Sequence, residues 1–385
     1  MIKINSVLES IPPSGIRKFF EIVAEQPDVI SLSVGEPDFN TPWHIREYAV
    51  HALETSNTHY SGNRGLPELL TAIANYSWRK FNVRYNSKKE ILVTNGASEA
   101  FDLIVRALLN PNDEVLIPTP SYVMYTPLIQ LAGGVPVSIA TSRNWKPSLS
   151  ELYKKITPRS RALILSYPNN PTGITFTRSE LKKIATFADK NNLIVVSDEI
   201  YAELTYSDKH TAFASLPGMK SRTITISGVS KAWAMTGFRL GWMTGPAKLI
   251  DAATKIHQYA ALCASSISQT AAIEALQEGD SEVEKMRTEY HLRRDFIVRE
   301  LNRIGLKSAR PSGAFYVFPN VYQKTGLSGE KFALNLLQQE KVAVVPGSAF
   351  GEKFSDFVRI GYATNLAALE EALIRIERFV KKCKK

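Results

Sequence analysis

The stretch Ser227-Gly-Val-Ser-Lys-Ala-Trp-Ala-Met-Thr-Gly-Phe-Arg-Leu-Gly241 decides how this chain of 385 residues is read. It sets one lysine, Lys231, among the small residues Gly228, Ser230, Ala232 and Ala234, and then places Arg239 between Phe238 and Leu240. The run TITI (223–226) just upstream is β-branched and reads as a buried strand. Lys231 therefore sits where a strand gives way to a tight turn, a place from which a side chain is aimed at a ligand. A partly desolvated lysine beside a second cation has a lowered pKa, and its neutral amine is available for Schiff-base chemistry. The planar fork of Arg239 suits a phosphate. One lysine and one arginine in a cationic chain also fit plain solvated charges, so the rest of the sequence has to decide.

The length exceeds that of a usual single domain and suits a large domain with a smaller companion. A hydrophobic fraction of 44% supports a packed core and argues against disorder. Two cysteines, Cys263 and Cys383, are too few for a disulfide framework or a metal cluster. The opening MIKINSVLESIPPSG lacks a charged-then-apolar signal segment, so a reducing, cytoplasmic setting is expected. No apolar run approaches the roughly 20 residues of a membrane helix. The formal charge of +10 fits nucleic acid, an acidic surface or anionic small ligands. Part of it lies in the terminal KKCKK, read as a solvated tail, and no basic stripe interleaved with aromatics supports nucleic-acid binding.

From about Ile91 to Gly245 apolar strands alternate with helices, the pattern of an α/β fold with a largely parallel sheet covered on both faces. Ligands of such sheets lie at the carboxyl ends of the strands. EILVTNGASEAF runs from a strand through Asn95-Gly96-Ala97-Ser98 into a helix, whose free N–H groups suit a phosphate, although such turns are common. DEVLIPTPSY delivers Tyr122, readable equally as an ordinary loop aromatic. RALILSYPNNPTG ends at Asn170-Pro171, and Asn-Pro elsewhere simply makes turns. LIVVSDEIYAEL presents Asp198 at a strand end with Tyr201 just beyond, either solvated polar groups or partners for a cationic ring. Before this region come a helix in SGIRKFFEIVAE (14–25), a short strand in VISLSVGEPDF (29–39) punctuated by Gly35, and two helices flanking a loop with Tyr60. After it come two helices (246–260 and 265–279), a long helix (281–305), strands in SGAFYVFPN, VAVVPGSAFG and FVRIGYA, and a closing helix. Arg359, between Val358 and Ile360, points away from both and is either a snorkelling surface residue or a buried carboxylate clamp.

G-V-S-K, Ala-Met, Thr-Gly and F-R-L-G, taken position by position, resemble the signature around the coenzyme lysine of the fold-type I pyridoxal phosphate aminotransferases, the aspartate and aromatic branch. NNPTG, VGEPDF and the Y-x-x-x-x-G-L spacing from Tyr60 extend the likeness over almost the whole chain, and PSGAFYVFP is similar to prokaryotic aspartate, aromatic and N-acetyl-diaminopimelate aminotransferases. The resemblance implies a pyridoxal 5'-phosphate domain over 46–283, a small α+β domain over 284–385, and an N-terminal segment, 1–45, packing with the latter. It implies that Lys231 binds the coenzyme and serves as base, that Asp198 pairs with its ring nitrogen, and that Tyr201 and Asn170 bond its phenolic oxygen. Tyr122 would stack on the ring, with Ile200 on the opposite face. Ala97, Ser98, Arg239 and Tyr60 would hold phosphate, Tyr60 across the interface of a homodimer. Gly35, Asn170 and Arg359 would hold the substrate carboxylate, and no metal, membrane or nucleic acid would take part. The implied reaction moves the amino group of an amino acid such as aspartate or an aromatic one to a 2-oxo acid such as 2-oxoglutarate, in two half-reactions. Two departures stand out. Gly228 occupies the position three before the lysine where some relatives carry a phosphate-binding hydroxyl, with Ser230 either substituting for it or taking no part, and the arginine that some relatives use for a distal carboxylate has no counterpart. The rival on the same fold is a C–S lyase. A transcriptional regulator of this fold would need an appended DNA-binding domain.

Overall fold

The computed structural model describes residues 3–13, 26, 28–206 and 209–383; the helix expected over 14–25 lies outside them. In chain order the strands are β1 (Ile30–Ser31), β2 (Ile91–Thr94), β3 (Glu114–Thr119), β4 (Val135–Ala140), β5 (Ser160–Ser166) and β6 (Ile194–Asp198). They continue with β7 (Thr223–Gly228), β8 (Gly241–Thr244), β9 (Tyr316–Val317), β10 (Val342–Ala343), β11 (Val345–Pro346) and β12 (Val358–Gly361). Seven of them form one sheet in the order β2-β8-β7-β6-β5-β3-β4. The pairs from β7 to β4 are parallel, as expected. β8 runs antiparallel to both β2 and β7, so the carboxyl end of β2 emerges at the same edge as those of the parallel strands. No strand was expected over Gly241–Thr244, because four apolar and small residues show no periodicity.

Apolar side chains alternate between the two covered faces of this sheet. Along β5, Ala162 and Ile164 join the core under the helices Ala97–Leu108 and Ala247–Ala260, whereas Leu163 and Leu165 join the one under Arg178–Lys190. Burial on both sides is why these strands read as continuous apolar runs. The helix Arg178–Lys190 begins with a reciprocal cap between Thr177 and Glu180, which fixes where the chain leaves the β5 loop and turns back.

A separate core gathers Leu32, Tyr201 and Leu204 with residues from Met286 to Val380, under the long helix Asp280–Ile304 and the closing helix Leu366–Lys382. Its strands are shorter than expected. VISLSVGEPDF contributes only β1, which pairs parallel with β10, and VAVVPGSAFG splits into β10 and β11, the latter joining β12 and β9. The cause is that each short strand serves a different partner, so the backbone re-aims between them. Among the described residues no helix is long and apolar enough to cross a membrane, and no group of three or more His, Cys, Asp or Glu could hold a metal ion.

At the carboxyl edge, Gly241 stands opposite both Thr94 and Gly228. A Cβ on Gly241 would lie 2.5 Å from the Ala97 amide nitrogen and 2.6 Å from the Gly96 carbonyl carbon, both backbone atoms that cannot step aside. A Cβ on Gly237, four residues earlier, would meet nothing within 4 Å among the described residues beyond its chain neighbours. Gly241→Ala is therefore expected to cost about 3 kcal/mol by overpacking, and Gly237→Ala less than about 0.5 kcal/mol, as read by urea unfolding of both variants.

Candidate active site

Asp198 ends β6 in the middle of the sheet, with Ser166 and Ile226 as its register partners. Its carboxylate is buried, accepting from the Tyr125 hydroxyl at 2.6 Å and the Ile200 amide at 3.2 Å. Burial raises its pKa, an effect those two hydrogen bonds partly oppose. Among the described residues no cation forms an ion pair with it, so a buried acid stands ready for a cationic partner.

Lys231 leaves the turn after β7 and donates from Nζ to the Gly35 carbonyl at 2.6 Å. Burial pulls the pKa of its amine down to about 8; Glu36 opposes the shift, and Arg359 and Arg239 reinforce it. Lys231 and Asp198 lie close enough for each to move the other's titration. Arg239, in left-handed backbone at φ 51°, bonds the Thr236 carbonyl and lays its guanidinium along the Gly96 backbone. A Cβ on Gly96 would sit 2.8 Å from Arg239 Nη2 and push the guanidinium aside, and the backbone there, at φ 83°, is the left-handed conformation that favours glycine. The helix Ala97–Leu108 starts there, and its first N–H groups have no acceptor within the helix. Guanidinium and helix start together form an anion cradle.

Arg359 is the buried alternative of the two readings of its strand, 2% exposed. Nη1 donates to Asn170 Oδ1 at 3.0 Å, Nη2 to the Ser33 carbonyl at 2.5 Å, and the buried Nε has no hydrogen-bond partner among the described residues. Its guanidinium carbon lies 4.6 Å from the Tyr316 ring centroid. Tyr201 meets the Tyr316 hydroxyl at 2.8 Å. Tyr122 is half-buried at the mouth of β3, edge-on to Tyr125, in the fields of Arg359, Asp198 and Arg239. Ala97 and Ser98 open the cradle helix. Tyr60 is the predicted residue that joins none of these contacts: it is 82% exposed.

Four participants were not foreseen: Tyr125, Tyr316, Glu36 and the Ser33 carbonyl. Glu36 belongs to a strap, Ser33–Thr41, pinned across the site by Thr236 to Glu36 at 2.8 Å, by Arg293 to both oxygens of Asp38, and by Thr41 to the Ala234 carbonyl at 2.6 Å. The structure also explains the glycine three before Lys231. A Cβ on Gly228 would lie 2.8 Å from the Leu240 carbonyl and 2.9 Å from the Gly241 Cα, so the backbone entering β8 leaves no room for a hydroxyl-bearing side chain there, while Ser230 is buried.

The site combines an amine able to lose its proton near neutrality, a buried carboxylate, an anion cradle and a buried guanidinium with a free donor. Residues 27–376 match the family model described as aminotransferase class I and II. The chain is 46% identical to an aspartate aminotransferase of Pyrococcus abyssi, with 98% of each chain covered. It is 43% identical to aromatic-amino-acid aminotransferase 2 of Thermococcus litoralis, again with 98% of each covered. The aromatic aminotransferase structure from Pyrococcus horikoshii superposes with a TM-score of 0.91 at 45% identity, covering 96% of this chain and 99% of that one. The chain belongs to the class I and II aminotransferases, enzymes of the fold-type I architecture that transfer amino groups of amino acids with pyridoxal phosphate.

Proposed function

We propose that this aminotransferase holds pyridoxal 5'-phosphate at Lys231 and exchanges amino groups between aspartate or aromatic amino acids and 2-oxoglutarate. The observation that carries the reading is the pairing at one sheet edge of an amine pulled down to about 8 with a buried carboxylate that forms no ion pair among the described residues. The residues fit the group. Arg239 and the first N–H groups of the helix at Ala97 and Ser98 suit its phosphate, and Asp198, aimed by Tyr125, suits a protonated ring nitrogen. Asn170 bonds Arg359 through Oδ1, which leaves its Nδ2 to donate to the phenolic oxygen alongside Tyr201. Tyr122 and Ile200 would cover the two faces of the ring. When bound, pyridoxal phosphate supplies an electron-poor ring that takes up the electron pair left as the substrate Cα–H bond breaks.

The remaining steps belong to the chain. Arg359 grips the α-carboxylate of the amino acid with Nε and a second N–H, and the Gly35 backbone closes the site from the strap. Lys231 Nζ, neutral in a sizeable fraction at pH 7–8, takes the Cα proton. Asp198 keeps a proton on the ring nitrogen throughout.

Tyr60 supports a homodimer. Its loop is pinned by Asn57 to Thr270, Gln269 to Ser61 and Asn63 to the Leu262 carbonyl, so an exposed aromatic is held rigidly outward, as a residue reaching a second copy's phosphate would be. We divide the chain into a cofactor domain over 46–283 and a small domain over 284–385 with residues 1–45 against it. This division is supported by the β1–β10 pairing and by Leu32 in the second core. We place the enzyme in the cytoplasm.

Protein loaded with the coenzyme is expected to show a visible band that bleaches with glutamate and returns with 2-oxoglutarate, and borohydride should fix the label on Lys231. Pyruvate and ammonia released from cysteine instead would make the enzyme a lyase. Lys231→Ala should lower turnover at least about a thousandfold while coenzyme still binds non-covalently. In Arg359→Lys the loss of the planar fork should raise KM for every amino donor, by about 100-fold, measured across a donor panel.

The lowered amine pKa also predicts a stability effect in cofactor-free protein. Between pH 8 and 10.5 the unfolded chain holds a proton that folded Lys231 has released, so stability rises with pH across that window and the burden of the buried charge is full below pH 8. Lys231→Met should therefore be more stable than the parent at pH 7, by about 2 kcal/mol after allowance for water near the amine, with the gap closing by pH 10.5. Urea unfolding at the two pH values measures it.

A further inference from the structure

Tyr201 and Tyr316 meet hydroxyl to hydroxyl at 2.8 Å, both rings buried. Either atom is a competent donor by geometry alone, but each phenol has a single proton to give. With the Tyr201 proton directed at the phenolic oxygen of the coenzyme, as proposed above, Tyr201 has none left for its neighbour. The 2.8 Å contact is then a hydrogen bond only with Tyr316 as donor. Among the described residues the Tyr316 hydroxyl has no other hydrogen-bond partner.

The place of Tyr316 is over-determined. Its ring lies under the Arg359 guanidinium, 4.6 Å from ring centroid to carbon, and stands edge-on to Tyr201 at 5.9 Å. Its hydroxyl lies so near Gly35 that a Cβ there would come within 2.9 Å. Two groups assigned to coenzyme or substrate, Tyr201 and Arg359, thus contact one side chain that has no assigned part in the chemistry, and a third, the Gly35 backbone, lies beside its hydroxyl.

We propose that Tyr316 is a positioning residue of the transamination site: it donates to Tyr201, fixes the direction of the Tyr201 proton, and so strengthens the bond from Tyr201 to the coenzyme's phenolic oxygen. A hydroxyl that accepts a hydrogen bond is a better donor in turn, and low local polarity enlarges the effect. This rests on the reading of Tyr201 and Lys231 given under the proposed function.

The visible band of the coenzyme-loaded protein reports the test. It titrates with the proton shared between the lysine nitrogen and the phenolic oxygen, and a donor to that oxygen favours the proton-free form and lowers the midpoint. Tyr316→Phe, which removes one oxygen and keeps the ring under Arg359, is expected to raise the midpoint by about half a pH unit. KM for amino donors should stay within about threefold, since the guanidinium keeps its aromatic face. Tyr201→Phe should raise the midpoint further, and adding Tyr316→Phe to it should move the midpoint no more, because no hydroxyl remains to be oriented. A parental midpoint in Tyr316→Phe would overturn the proposal, as would a half-unit shift that persists without the Tyr201 hydroxyl. Loss of coenzyme binding in Tyr316→Phe would overturn it too, since the deleted oxygen would then have held something other than Tyr201. A parent protein that never takes up the coenzyme would instead sink the proposed function.

Discussion

Dry burial of two ionisable groups at one edge of the sheet is the constraint on which the rest of this site depends. The same desolvation that raises the carboxyl of Asp198 lowers the amine of Lys231, so each is pushed toward its neutral form. Neither shift is available on a wet surface. The sheet supplies the dryness because both its faces are covered, leaving the strand ends as the place where the backbone turns and a polar side chain can be held. A neutral amine is a nucleophile and a base, and an unpaired buried acid is a binding site for a cation. Chemistry and folding cost therefore have one origin, which is the usual trade between a reactive site and stability.

Glycines make the arrangement geometrically feasible. Gly96, Gly228 and Gly241 lie where β2, β7 and β8 converge, and at each a Cβ would come within 3 Å of the guanidinium of Arg239 or of backbone. The cradle is thus built by bringing backbones closer at Gly228 and Gly241 than a side chain permits, and by a left-handed glycine at 96 beside the guanidinium. The missing hydroxyl at position 228 follows from this packing.

What the sequence made legible was whatever is local. Lys231, Arg239 and the turn at Gly96 announce themselves within a few residues of a strand end, and Asp198 within one. Tyr125 and Tyr316 gave no such signal, because their partners lie 73 and 115 residues away and only the tertiary fold decides which buried tyrosine faces a carboxylate. The large sheet was legible in its parallel part, where apolar runs are long, and not at β8; the strands of the small sheets were legible in place but not in extent, because two to four residues pair with partners that change along the chain. Arg359 shows the intermediate case. Alternation gave its face but left surface and clamp open, and only the carbonyl of Ser33 and the amide of Asn170 show that it is buried and satisfied at two of its three nitrogens.

Those same contacts bear on how substrate would be felt by the whole molecule. Arg359 on β12 touches the strap through Ser33, the β5 loop through Asn170, and β9 through the Tyr316 ring. The strap is in turn pinned to the long helix Asp280–Ile304 by Arg293 and to the lysine turn by Thr236 and Lys231 itself. A carboxylate bound at Nε would complete the guanidinium's hydrogen bonding and tighten all these segments about one point. Once Lys231 turned to other work, the Gly35 carbonyl would lose its donor. Binding and chemistry would then pull the strap in opposite senses, with Gly35 standing between the clamp and the base. With the roles proposed above, a single buried guanidinium would connect recognition of the substrate to the placement of the group that acts on it, through contacts that each span between 189 and 326 residues of sequence or cross from one short strand to the next.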